Sequence, residues 1–276
     1  MASAPTIRRS FALPPPELRA YIERIWAWES DGPAPLPLLL PGTGAELVLH
    51  YRTPFLALGS DGSRHAPPSA HLSALRSGSC RLVAQGTIGF VAVRFRSSAI
   101  RHFGRLPMGA LIDRFASAAE HLGAEVDALP EQLARASGFD ARAGLVATFL
   151  LACLRRKGSA PECADRVLEA LYYREPEASV ATLADELGFG SRQFERLVGA
   201  VAGLTPKRFR RVARLHHTVR HLLLAGETRY LDSALARGYY DQAHFIHELG
   251  DLTGCTPSEV FTPEAFVSHF YNPRLP

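Results

Sequence analysis

The sequence has no apolar run long enough to cross a bilayer. Its longest strongly apolar stretch, Leu145–Leu154, is cut short by Arg155, Arg156 and Lys157, whereas a membrane helix needs roughly 20 such residues. A membrane partner is not expected. Cysteine is sparse: Cys80, Cys153, Cys163 and Cys255 form no C-x-x-C pair and follow no secretory leader, which excludes a disulfide framework and fits a reducing cytoplasm. His50, His65, His71 and His102 are dispersed without an H-x-H pair, and neither G-x-S-x-G nor a phosphate-cradling loop occurs. No metal, no cofactor and no catalysis are expected. Charge of one sign is scarce as well, the net being only +4 at pH 7.

What is present is a local excess. Between Gly190 and Arg229 stand Arg192, Arg196, Lys207, Arg208, Arg210, Arg211, Arg214, Arg220 and Arg229, opposed only by Glu195 and Glu227. A basic run is as readily a solvated helix face as a nucleic-acid surface, so its context decides. Upstream, Tyr21–Trp28, Leu36–Leu40, Glu46–Tyr51, Phe55–Leu58, Arg81–Val83 and Gly89–Phe95 are short β-favouring runs between Pro and Gly, the pattern of an antiparallel sheet or small barrel. From Ser97 the texture turns helical, over Ser97–Phe103, Ala116–Leu122, Glu125–Ala136 and Ala141–Arg156. The fold class expected is α+β: a β-rich domain with a helical hairpin over residues 1–156, a linker at 157–163, and an all-α domain over 164–276.

The all-α part repeats itself. Ala181–Leu197 and Asp232–Leu249 each place an Ala (Ala184, Ala234) four residues before a Gly (Gly188, Gly238), then an aromatic (Phe189, Tyr239), a turn and a second helix. Small Ala permits a close helix crossing, Gly the positive φ of the turn, and Phe194 with Leu197, or Phe245 with Leu249, the buried side of the second helix. One such pattern is common. Two, joined by a basic segment that opens at Pro206 and runs to Leu224, describe a pair of helix-turn-helix units about 28 Å apart, compatible with neighbouring major grooves.

Over Asp165–Phe261 the chain resembles the AraC/XylS family of transcription regulators. The resemblance is carried by ATLADELGFGSRQFERLVGAVAGLTPKRFRRVARLHH and by GYYDQAHFIHELGDLTGCTPSEVF. It implies two helix-turn-helix units reading adjacent grooves of double-stranded DNA. It also implies an N-terminal sensor or dimerisation region, to which LPLLLPGTGAELVLHY and VAVRFRSSAIRHFG are similar, and as further partners a small-molecule effector, RNA polymerase and a second copy of the chain. With Phe194 and Leu197 turned inward, Arg192, Glu195 and Arg196 share the outer face, where Arg reads guanine and Glu accepts from cytosine. In the second unit Asp241 is the N-cap, and Gln242, Ile246 and His247 fall on the family's DNA-facing side, His247 being either a contact or simply exposed. Ser191, Arg208, Arg211, Arg214 and His244 are candidates for the phosphate backbone, with Arg211 and Arg214 able to face either DNA or the protein. One departure from the family stands out: Glu248, Gly250 and Asp251 replace basic residues, which implies weaker phosphate anchoring by the second unit.

In the N-terminal region Trp26, Trp28, His50, Phe55 and Arg94 either line an effector pocket or, for the aromatics, pack the sheet's own core, and Arg94 between Val93 and Phe95 reads as solvent-facing. Two rival functions remain: a helix-turn-helix scaffold turned protein-interaction adaptor, suggested by the acids of the second unit, and a DNA-repair enzyme fused to a regulator domain. The second would need a zinc-held cysteine cluster that the cysteine spacing does not supply.

Overall fold

The computed structural model describes residues 7–59, 62–97, 99–158, 163–173, 179–225, 235 and 238–262. Ten strands come first: β1 (Arg8–Ala12), β2 (Ile22–Ser30), β3 (Leu38–Leu39), β4 (Glu46–His50), β5 (Leu56–Gly59), β6 (Arg64–His65), β7 (Ala70–Ser73), β8 (Cys80–Val83), β9 (Ile88–Phe95) and β10 (Phe115–Ser117). They form an antiparallel six-stranded sheet ordered β1-β2-β9-β4-β7-β10 and an antiparallel four-stranded sheet ordered β3-β8-β5-β6.

The larger sheet is buried on both faces, which is why β4 and β9 are apolar nearly throughout instead of alternating with polar residues. Ile25, Leu47, Leu49, Val91 and Val93 turn one way, onto Leu129 and Leu133 of α2 (Leu129–Arg135) and Val146 and Leu150 of α3 (Gly138–Lys157), with α1 (Ala118–Leu122) beside them. Trp26, Trp28, Val48, Phe90 and Ala92 turn the other way, onto Leu39, Ala57 and Leu82 of the smaller sheet and Phe55 just before β5. The β-rich unit with its helical hairpin therefore has the form expected. Ser97–Phe103 departs from it, coiling as a 3-10 turn at Ala99–His102.

The strand registers grade the inner face from aromatic to charged. Trp28, Phe90 and His50 align across one row, and Trp26, Ala92, Val48 and His71 across the next; Arg24, Arg94, Glu46 and Ser73 close the face at the mouth. Arg94 is thus buried, not solvent-facing: its guanidinium pairs with Glu46 and Glu23, each at 3.4 Å. Alternation on one strand misled here because the row beside it, on β2 and β4, brings the counter-charges. Burial opposes the charge on Arg94, and the two glutamates overcome that cost and hold its pKa above the ordinary arginine value.

The C-terminal helices are α4 (Cys163–Tyr173), α5 (Val180–Glu186), α6 (Ser191–Ala202), α7 (Pro206–Ala225), α8 (Gln242–Thr253) and α9 (Pro257–Val260). Pro206 opens α7 as its position suggests. Ser179 caps α5 by accepting the Thr182 N–H at 3.0 Å. Residues 159–162 of the expected linker, and the first helix of the second unit with Ala234, lie outside the described residues.

The mouth of the β-unit meets both halves of the helical region. Leu75 joins the core made by α4, α5 and α6, while Leu40 joins the core made by α7 and α8. The Ser79 hydroxyl donates to the Thr253 carbonyl at the end of α8, at 2.5 Å. Gly203 lies against Gly109 so closely that a Cβ there would stand 2.6 Å from the Gly109 Cα. On α4, Asp165 receives Arg101 and His102, each at 2.9 Å.

Deep in the β-unit, His50 and His71 stack with ring centroids 5.4 Å apart. His71 Nδ1 donates to the Pro68 carbonyl, but among the described residues His50 Nδ1, His50 Nε2 and His71 Nε2 meet no hydrogen-bond partner. Burial accordingly drives His50 down to about 3 and His71 to about 4. Both are neutral when folded and take up protons near 6.5 when unfolded, so stability is held above pH 6.5 and lost as pH falls toward 4. Unfolding free energy measured with guanidinium chloride is expected to drop by about 2 kcal/mol per histidine between pH 7.5 and pH 5. His50→Phe should remove about half of that pH dependence; a wild-type curve flat over this range would overturn the assignment.

Candidate nucleic-acid interface

Each unit builds its exposed helix in the same way. In the first, the turn after α5 passes through Gly188 at φ 76°, and the Phe189 N–H returns to the Ala184 carbonyl at 2.8 Å. That left-handed residue lets α6 cross α5 closely, over an Ala184 that is almost fully buried. Phe194 and Val198 are the fully buried anchors of α6, with Leu197 only half-buried, so Val198 takes the inward place expected for Leu197. The opposite face presents Ser191, Arg192, Gln193, Glu195 and Arg196, all exposed.

The second unit repeats the pattern with Gly238 at φ 78° and a buried Tyr239. Asp241 caps α8, its carboxylate accepting the His244 N–H at 2.7 Å. Phe245 and Leu249 are fully buried, and Gln242, Ile246 and His247 are exposed. The structure thus brings Arg192, Glu195 and Arg196 onto one helix face, and Gln242, Ile246 and His247 onto another. Tyr240, 87% exposed beside the cap, escaped the sequence reading; its place in the turn immediately before a capping Asp was the available signal.

Two of the backbone candidates, for which either side was open, pair within the protein. Arg214 points into the seam between α7 and α8, where Glu248 accepts its Nη2–H at 2.7 Å and its Nε–H at 3.1 Å, and its guanidinium lies 4.5 Å from the Tyr239 ring centre. Arg211 donates through Nε to the same carboxylate at 3.0 Å and pairs with Asp251 at 3.4 Å. The Tyr239 hydroxyl donates to Glu248 as well, at 3.0 Å. Glu248, only 4% exposed, is therefore an internal clamp and not a surface acid that repels phosphate. Burial works against the Arg214 charge, and its bonds to Glu248 reverse the effect and raise its pKa. His244 is half-buried, its Nδ1 accepting the Tyr240 N–H at 3.2 Å, so the loop holds it locally. Lys207 and Arg208 remain exposed at the start of α7.

The supposed effector pocket is a packed core. Trp26 and Trp28 lie edge to face at 5.8 Å, and Phe55 stands 4.6 Å from His50, leaving a space of about 20 Å³, enough for little more than a water molecule. Arg94 belongs to the mouth and does not join these four.

One helix-turn-helix unit and a second exposed helix after a positive-φ glycine, bridged by one long helix, define the class: a protein with a helix-turn-helix module. Residues 166–262 match the family described as Helix-turn-helix domain, and residues 10–117 match a Domain of unknown function (DUF6597). The first of these matches places a helix-turn-helix domain of the AraC type in the C-terminal region. It is 32% identical over 116 residues to the thermoregulatory protein LcrF of Yersinia pestis, a match covering 41% of each chain. It is also 32% identical over 113 residues to the virulence regulon transcriptional activator VirF of Yersinia enterocolitica, covering 40% of each. The chain thus spans about two-fifths of the length of these curated relatives. Among solved structures, ToxT from Vibrio cholerae O395 aligns with 93% of this chain and 96% of its own, at 9% identity and a TM-score of 0.47. Among the described residues no helix is long and apolar enough to cross a membrane, and no group of three metal-binding side chains is found.

Removing one partner of a buried ion pair strands the other, at about 3–5 kcal/mol. Because Arg211 is partly exposed, Glu248→Ala should cost about 3 kcal/mol in guanidinium chloride unfolding. The double change Glu248→Met with Arg214→Met should recover much of this. A loss well below about 1 kcal/mol for the single variant would reduce Glu248 to a surface acid.

Proposed function

We propose that the protein is a sequence-specific DNA-binding transcription regulator, in which α6 and α8 enter successive major grooves on one face of a duplex. The observation that carries this reading is the matched pair of helices. Each follows a positive-φ glycine, buries a phenylalanine inward and presents a row of exposed side chains outward. The twenty residues of α7 span about 30 Å, close to the roughly 34 Å between adjacent grooves.

Arg192, Glu195 and Arg196 read bases in the first groove; Gln242, Ile246 and His247 read them in the second. Ser191 and Arg208 hold the phosphates, with Lys207 beside them. Affinity and salt dependence come chiefly from the first unit and the start of α7, because the arginines in the middle of α7 are spent on Glu248. The names of the relatives, a thermoregulatory protein and a transcriptional activator, support a role at promoters. The protein acts in the cytoplasm as a binding protein and not an enzyme. The N-terminal domain, residues 1–156, senses or dimerises, with a small-molecule effector, RNA polymerase and a second copy of the chain as its implied partners. The acids that suggested an adaptor are accounted for by the α7–α8 clamp, so that alternative loses its motive.

Selection from a pool of random duplexes by the purified protein should recover two sequence blocks about one helical turn, or 10 base pairs, apart. Arg192→Ala and Arg196→Ala should each weaken binding to the selected site about tenfold or more and relax only the first block. No enriched block, or affinity unchanged in both variants, would refute the assignment.

A further inference from the structure

The two exposed helices present different chemistry. The outward row of α6 carries Arg192, Gln193, Glu195 and Arg196, whereas α8 contains neither Arg nor Lys. Its outward row is Gln242, Ile246 and His247, and His247 Nδ1 stands 3.5 Å from the Asp251 carboxylate one turn on, where any charge it takes up is balanced. Ahead of this row, in the turn, stands Tyr240, 87% exposed and the most exposed large hydrophobic side chain among the described residues.

Among the described residues no packing role accounts for an aromatic at this position. A hydrophobic residue just before an N-cap ordinarily packs on the fourth residue of the helix, which here is Phe245. Phe245 is instead covered by the buried Tyr239, their ring centres 5.2 Å apart, and Tyr240 is left in solvent. The turn does not need the side chain either: Gly190, also two residues past a positive-φ glycine, holds the same place in the first unit. The Tyr240 backbone is nonetheless fixed, its N–H donating to His244 Nδ1 at 3.2 Å beside the Asp241 cap.

Given that α8 enters a major groove, a premise taken from the regulator reading, we propose that Tyr240 is a specificity-determining residue that reads thymine C5-methyl groups together with Ile246. The thymine methyl is the apolar feature that the major groove displays, and apolar side chains recognise it by contact. Gln242 lies one turn before Ile246 on the same face, and an amide paired with adenine brings the thymine of that base pair into the same groove. The second block is therefore rich in A·T pairs and read largely by methyl contact, whereas the first, facing Arg192, Glu195 and Arg196, is read by hydrogen bonds to G·C pairs. Apolar contact also gives α8 a hold on DNA that its lack of Arg and Lys denies it electrostatically.

The test uses the full chain and the duplex it selects, with thymines of either block replaced by deoxyuridine, which removes the methyl and leaves base pairing intact. Each replacement facing α8 should weaken binding about three- to fourfold, the value of one buried methyl, and replacements in the first block should have no effect. Tyr240→Ala and Ile246→Ala, both at exposed positions, should each abolish the penalty at a different thymine. Tyr240→Phe should keep every penalty, as should Arg192→Ala, which weakens binding overall. Equal affinity for thymine and deoxyuridine duplexes, a second block without A·T pairs, or penalties identical in Tyr240→Ala and the wild type would overturn the proposal and leave the regulator reading standing. A loss in Tyr240→Phe equal to that in Tyr240→Ala would assign the residue to a phosphate through its hydroxyl and overturn the proposal as well. A chain that selects no duplex would overturn both.

Discussion

A carboxylate cannot stay buried without partners, and Glu248 is where this chain meets that constraint. Two guanidiniums and a phenol converge on it, from α7, from the turn before α8, and from nowhere else among the described residues. Two turns of the linker helix are thereby fixed against the middle of the second exposed helix, and the angle at which that helix leaves the body follows. An apolar contact of the same area would hold the two helices together, but it would tolerate sliding; a forked, charge-assisted arrangement does not.

The same logic recurs at the mouth of the β-unit. Arg24, Arg94 and Glu46 align across three strands, with Arg76 and Glu23 beside them, so that the open end of the sandwich is closed by charge and not by apolar side chains. The helical region packs on this end: Tyr172 Oη stands 2.9 Å from His216 Nδ1, and His216 is pushed well below its ordinary pKa, first by burial and then by Arg94. Leu75 reaches the core of the first unit and Leu40 that of the second. Both exposed helices therefore depend on the β-unit for their placement, through two cores that α7 joins, with Phe209 in one and Val212 and Leu215 in the other.

Much of this was legible in the chain. The two Ala-x-x-x-Gly-aromatic repeats fixed the turns, because only glycine takes φ near 76° without strain, and Phe194 and Phe245 marked the buried sides. The strand runs of the β-unit were legible through β-branched and aromatic content, whereas β1, β6, β7 and β10 were not, being short, polar or lying at an edge. The roles of Arg94 and Glu248 were misread, and those of Arg211 and Arg214 left open, for one reason: each is explained by a partner distant in sequence, 34 to 48 residues away. Local periodicity carries no information about such partners.

The sequence by itself determined the α+β class, the paired helix-turn-helix units, the N-cap at Asp241 and the outward rows on α6 and α8, since these follow from backbone preferences and periodicities within a few residues. Tertiary structure alone decided which arginines are free to meet a phosphate and that the tryptophans pack instead of lining a pocket. Those outcomes depend on which charges and surfaces meet across the fold. Desolvation sets the result, and it is a property of the assembled interior and not of any segment of the chain.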